Sequence, residues 1–191
     1  MVERVRLEAS GALGEGAGNR VAGAVADALR YRDDAVEHDH DPRYLHPART
    51  VLILLSDVGC RSAAVLLAAA FADSVDRGLA PAIDASGDVL QTGAAALLHQ
   101  VPFPAEEDED DEDGGLLERL VYVDDAVAVI ALAERLDQAR HLHLRPELDW
   151  HRFHAGIEAV YVPAARRFSP PLGRRFERWA EAFRRRLLPR R

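Results

Sequence analysis

A succession of apolar segments with helical periodicity constrains the fold of this chain more than any other feature. Within residues 19–37, for example, Val21 and Val25 fall on one side of a helix. Pro47 suits the first turn of a helix and Gly59 suits its end, because proline lacks an N–H and glycine accepts a left-handed backbone. No alternating strand pattern or hairpin turn accompanies these segments. The sequence therefore predicts an all-α fold, a compact single-domain helical bundle.

The remaining segments define the expected domain organisation. Ser62 can cap a helix that runs to Val75, and Pro163 should kink or split a later helix. The last helix, LGRRFERWAEAFRRRLL, has an apolar face made of Phe176, Trp179, Ala180 and Phe183. We expect a flexible N-terminus over 1–18, one all-α domain over 19–188 with an acidic loop insertion at 105–115, and a basic tail end at 189–191.

The charge of the chain is segregated along its length. The chain has 191 residues, a formal net charge of −8 and an unbroken run of eight acidic residues at 106–113. Net negative charge argues against nucleic acid as a partner, and the acidic run is expected to be a solvated loop. Arginines cluster in the tail from residue 174 onward. The tail can pack its apolar face on the bundle, or its basic face can contact nucleic acid, an anionic membrane or an acidic partner.

Cysteine content and hydropathy bear on the compartment. Cys60 is the single cysteine, which excludes an intrachain disulfide and a zinc site built on cysteines. The longest apolar runs, VLILL and AAVLLAAAFA, are too short to span a bilayer. We therefore expect a cytoplasmic protein with no membrane partner, and the sequence also allows a homo-oligomer.

Four motifs occur in the order found in one enzyme family. They are YLHPARTVLILLSDVG, SAAVLLAAAFADSVD, YVDDAVAVIALAERLDQARHL and AGIEAVYVPAARRF. Together they resemble the HD-domain hydrolase module of the RelA/SpoT family of (p)ppGpp enzymes over residues 25–183. That family has a Tyr-Leu-x-His-Pro start, a helix ending in Leu-His-Asp-x-x-Glu-Asp, and a later Leu-Ala-Asp-Arg-Leu-x-Asn. The resemblance implies the all-α HD-domain bundle, in agreement with the helix prediction.

The resemblance also implies a metal site and its chemistry. The family's site holds one divalent metal, usually manganese, and the matching positions here are His46, Asp73 and Glu134. Such a metal activates a water that attacks a pyrophosphate bond, and Asp76 stands where a carboxylate would orient and deprotonate that water. The substrate would be a guanine nucleotide or another phosphorylated small molecule. Its expected contacts are Tyr44, Arg77, Gln138 and Arg140.

The sequence departs from the family pattern at the site itself. Ala72 stands where the family has a metal-binding His, and Arg77 stands where it has an Asp. An alanine cannot bind a metal, and loss even of groups that only orient a ligand lowers metal affinity about 10- to 100-fold. We therefore predict a degenerate HD domain, a weak or inactive hydrolase that retains the capacity to bind a phosphorylated nucleotide. On this prediction the metal is Mn²⁺, another divalent ion, or none.

Two alternatives stay open at this point. The first is an active metal-dependent pyrophosphohydrolase that releases pyrophosphate from (p)ppGpp. It requires His46, Asp73 and Glu134 to hold a metal despite the loss of the His at residue 72. The second is a structural or protein-interaction module built on the same bundle, in which the pocket has no ligand. A metal bound at one ion per chain would favour the first alternative, and a filled pocket would favour the second.

Overall fold

The chain folds into helices throughout the part that the structure describes. A computed structural model describes residues 1–32, 44–76, 88–102, 118–120, 122–146 and 148–188. No strand occurs within these ranges, which confirms the all-α prediction. The helices pack into two compact units, Met1–Val101 and Pro102–Arg191. No helix within the described ranges combines the length and the apolar character that crossing a membrane requires.

The first unit is built around one apolar helix. Its elements are α1 (Val2–Leu13), α2 (Glu15–Arg32), α3 (His46–Leu52), a π-helical continuation of α3 (Ile53–Val58), α4 (Ala63–Asp76) and α5 (Val89–Leu98). Helix α4 packs against α2, α3 and α5. Leu66, Ala68 and Ala72 of α4 are almost completely buried. A helix that is apolar on most of its sides is stable only when neighbours cover it, so α4 forms the centre of this unit.

The start of the chain differs from the expectation of a flexible segment over residues 1–18. Helix α1 packs along α2, and Val5 and Ala9 are fully buried. The two helices approach closely at Gly18, where an added Cβ would overlap the backbone of Ser10. The apolar side of α1 is narrow, with few large side chains, so its periodicity is weak in the sequence. Packing on α2 supplies the stability that local propensity does not.

Helix boundaries in this unit follow the local sequence signals. Pro47 lies in the first turn of α3, and Gly59 ends the π-helical continuation with a φ of 75°. Ser62 Oγ accepts a hydrogen bond from the Val65 N–H at 3.4 Å. The predicted positions of these three residues are confirmed. The widening of the helix into π geometry was not predicted, and π-helical turns occur frequently at functional sites.

The second unit is built from shorter helices and one long terminal helix. Its elements are α6 (Asp125–Arg140), a 3-10 turn (Leu142–Leu144), α7 (Trp150–Gly156), a π-helical segment (Ile157–Tyr161), α8 (Val162–Phe168) and α9 (Pro170–Leu187). The helix continues without a break through Pro163, which lies in the first turn of α8, and it widens to π geometry just before that residue. The predicted acidic insertion at 105–115 and tail end at 189–191 lie outside the described residues.

Helix α9 packs its predicted apolar face inward. Phe176, Ala180 and Phe183 are buried, and the half-buried Trp179 stacks on Phe183 with ring centroids 4.8 Å apart. The buried His154 of α7 lies beside these rings, with its Nε2 2.9 Å from the Ala180 carbonyl oxygen. This face therefore fixes α9 to the rest of the second unit.

Candidate functional site

The predicted metal ligand Asp73 forms an ion pair inside the first unit. Nη1 of Arg32 donates a hydrogen bond to Asp73 Oδ2. The Arg32 side chain is 1% exposed and the Asp73 side chain 9% exposed. The two residues are 41 positions apart in the sequence, and the packing of α2 against α4 brings them together. A guanidinium thus contacts the carboxylate that the family resemblance assigns to a metal.

Burial determines what this pair does. An ionised carboxylate inside a protein requires a compensating charge or hydrogen bonds, because its hydration has been lost. Arginine is the cation best suited to that role, since it stays charged at any ordinary pH and its planar N–H groups match a carboxylate. Arg32 also ends α2, where the helix dipole favours a positive charge. The negative charge of Asp73 is therefore already offset by the protein itself.

The other metal-site positions of the first unit are buried without completing a metal site. His46 begins α3 and is 5% exposed, while Ala72 is fully buried on α4. Within the described ranges, no group of three or more His, Cys, Asp or Glu side chains is arranged to hold a metal ion. The residues that the structure describes in this unit do not fit the family's metal. The Asp76 side chain and Arg77 lie outside the description.

Two buried carboxylates lie on one face of α6 in the second unit. Glu134, a predicted ligand, is 6% exposed, and Asp137 is 1% exposed. Nδ1 of His141 lies 2.9 Å from the Asp137 carbonyl oxygen and 3.4 Å from its Oδ1. Asp137 was not predicted as a site residue. Its signal in the sequence is its spacing, three residues after Glu134 and four before His141, which places all three on one helix face.

The expected nucleotide contacts are distributed between the two units. Tyr44 precedes α3 in the first unit and is half-buried. Gln138 and Arg140 are half-buried on α6 in the second unit. Gln138 Oε1 accepts a hydrogen bond from Arg135 Nη1 at 3.2 Å, so its amide is already engaged within α6.

Arg135 joins α6 to the motif that contains Tyr161. Its guanidinium carbon lies 4.3 Å from the ring centroid of Phe153 and 4.9 Å from that of Tyr161. Such contacts combine cation–π attraction with packing. Tyr161 is fully buried in the π-helical segment. Tyr161, the tyrosine of the motif AGIEAVYVPAARRF, therefore has a packing role inside the second unit.

A shallow groove opens where α4 and α5 begin in the first unit. It has a volume of about 540 Å³ and is lined mainly by Arg20, Ser62, Asp88 and Val89. Arg20 pairs with Asp88, whose side chain also caps α5. Hydrogen bonding from the Gln91 N–H, followed by the Arg20 contact, lowers the pKa of Asp88. The charges of Arg20 and Asp88 therefore offset each other, and Asp88 also stabilises the start of α5.

Comparisons of this chain with known protein families, with characterised proteins and with solved structures find no match. The resemblance to the RelA/SpoT module thus rests on the order of the four motifs alone. Among the described side chains, the buried ion pair of Arg32 and Asp73 bears most directly on function.

Proposed function

We propose that this chain is an HD-like helical protein that does not hydrolyse nucleotides and whose metal has been replaced by the buried Arg32–Asp73 pair. The pair carries the proposal, because Asp73 is the residue that matches the family's HD aspartate. The adjacent Ala72 removes a second ligand. The loss of the His and the gain of an internal cation act in the same direction, against a metal.

The energetics support a non-catalytic role. A metal that bound Oδ2 of Asp73 would have to displace Arg32, and breaking a buried ion pair costs about 3–5 kcal/mol. Because each 1.4 kcal/mol is a factor of ten, this lowers the apparent metal affinity about a hundredfold to several thousandfold. The absent His lowers the affinity further. General-base catalysis by Asp76 would then lack the activated water on which it acts.

The proposed role is binding of a phosphorylated nucleotide as a regulatory module. Tyr44 and Arg140 match residues of the family motifs, whereas Gln138 replaces the motif's Asn and Arg77 replaces an Asp with a positive charge. Arginine side chains suit phosphate groups, since a guanidinium donates two parallel hydrogen bonds to phosphate oxygens. The proposal retains a cytoplasmic location, which rests on the single cysteine.

Two assays on the full chain test the proposal. Incubation with (p)ppGpp and Mn²⁺ should release no pyrophosphate above the protein-free rate. Calorimetry with (p)ppGpp should detect binding that Arg140→Ala weakens and that the exposed control substitution Arg61→Ala leaves unchanged. Turnover that Asp73→Asn abolishes would establish the active hydrolase instead. Absence of any (p)ppGpp binding would leave the structural or protein-interaction module as the function.

A further inference from the structure

The outer side of α9 carries a straight row of arginines. Arg174, Arg178 and Arg185 are all exposed. At 3.6 residues per turn they fall within about 40° of one another around the helix, and they span about 16 Å along it. Phe176 and Phe183 lie on the opposite side and are buried. We refer to the three arginines as the arginine row.

No carboxylate among the described residues pairs with the arginine row. Other arginines of this region are paired: Arg166 with Glu177, and Arg184 with Glu158. Arg174, Arg178 and Arg185 form no ion pair with any residue in the described part of the chain. One carboxylate, Glu181, lies between them on the same side of α9. Counting only the described residues, the row therefore has a net positive charge, and its arginines are exposed.

We propose that the arginine row binds the phosphate backbone of double-stranded nucleic acid without reading its sequence. An amphipathic helix enters a membrane with its apolar face, and the apolar face of α9 is occupied by packing. Protein interfaces depend on aromatic or large aliphatic anchors, and the row has none. Single strands are bound by stacking on aromatic rings, which the row also lacks. Guanidinium groups pair well with phosphate, and duplex backbones present phosphates at regular intervals.

The net charge of −8 does not prevent such binding. Charges separated by more than about 8 Å are largely screened at physiological salt, so the local row matters more than the total. The sequence prediction against nucleic acid as a partner rests on the total charge, whereas these three arginines lie on one side of one helix. This inference concerns the second unit and does not depend on the Arg32–Asp73 pair of the first.

Fluorescence anisotropy with a short labelled DNA duplex tests the proposal. If the row makes three phosphate contacts, binding should weaken about 40-fold when salt rises from about 50 to 200 mM. The triple variant Arg174→Ala, Arg178→Ala, Arg185→Ala should bind weakly and with almost no salt dependence. A matched variant, Arg4→Ala, Arg30→Ala, Arg61→Ala, changes the net charge equally at exposed arginines of the first unit. It should bind DNA like the parent.

Several results would overturn the proposal. One is equal DNA binding by the row variant and the matched variant. Others are tighter row-dependent binding to a single strand, to a polyglutamate peptide or to vesicles of anionic lipid than to the duplex. Unchanged circular dichroism and thermal midpoint in the row variant exclude misfolding, because all three side chains are exposed and none supports the core.

Discussion

Replacing Arg32 by methionine should destabilise the first unit strongly. The substitution removes the guanidinium but keeps most of the aliphatic volume, so it isolates the loss of charge. Asp73 would remain buried at 9% exposure. Removal of one partner of a buried pair costs about 3–5 kcal/mol. Because Asp73 has a further interaction of its own, we expect the lower end of that range.

Urea unfolding followed by far-ultraviolet circular dichroism measures this loss. Both tryptophans, Trp150 and Trp179, lie in the second unit, so tryptophan fluorescence would not report directly on the first. The control is Arg30→Met, two residues away on α2, whose side chain is 78% exposed and pairs with Asp27. We expect the control to change the free energy of unfolding by no more than about 0.5 kcal/mol.

A double variant separates the ion pair from simple packing. Arg32→Met with Asp73→Leu replaces both charges by apolar side chains, which is often neutral or stabilising at buried pairs. We therefore expect the double variant to recover most of the stability that Arg32→Met loses. A single variant as stable as Arg30→Met, or a double variant no more stable than the single one, would refute the reasoning.

Three further predictions follow from the described side chains. Phe176→Ala should lower the free energy of unfolding by about 3–5 kcal/mol, because the ring is fully buried; a loss below about 1 kcal/mol would contradict this packing. Asp88→Ala should lower the thermal midpoint at neutral pH. The pKa of Asp88 is lowered in the folded state, so its stabilisation is lost as pH falls through that value, and the difference between variant and parent should vanish in acid. Burial raises the pKa of the Cys60 thiol, so iodoacetamide should modify it more slowly in the folded protein than in urea, whereas equal rates would contradict the burial.

Local signals in the sequence are sufficient to predict several helix ends and the apolar face of α9. Pro47 and Gly59 mark the limits of α3 and its continuation because their backbone preferences act without help from the rest of the fold. The apolar face of α9 was equally readable, since its aromatic residues recur at helical spacing. Helix α1 was missed because Val5 and Ala9 form a weak pattern that is stabilised by contact with α2.

The candidate site was readable only in part. The order of the motifs pointed to Asp73 and to the missing His at Ala72, but no local pattern marks Arg32 as the partner of Asp73. In the sequence Arg32 is one of two arginines in the last turn of α2, and Arg30 is exposed while Arg32 is buried. Only the packing of α2 on α4 distinguishes them. Glu134 and Asp137 are also buried, and the sequence alone does not reveal this burial.

The central claim is that an internal guanidinium has taken the place of a metal at Asp73. Calorimetric titration of the full chain with Mn²⁺, in parallel with the Asp73→Asn variant, tests it most directly. The account predicts that parent and variant give the same heats, with no binding at one ion per chain that depends on Asp73. Stoichiometric Mn²⁺ binding by the parent that is lost in Asp73→Asn would contradict it.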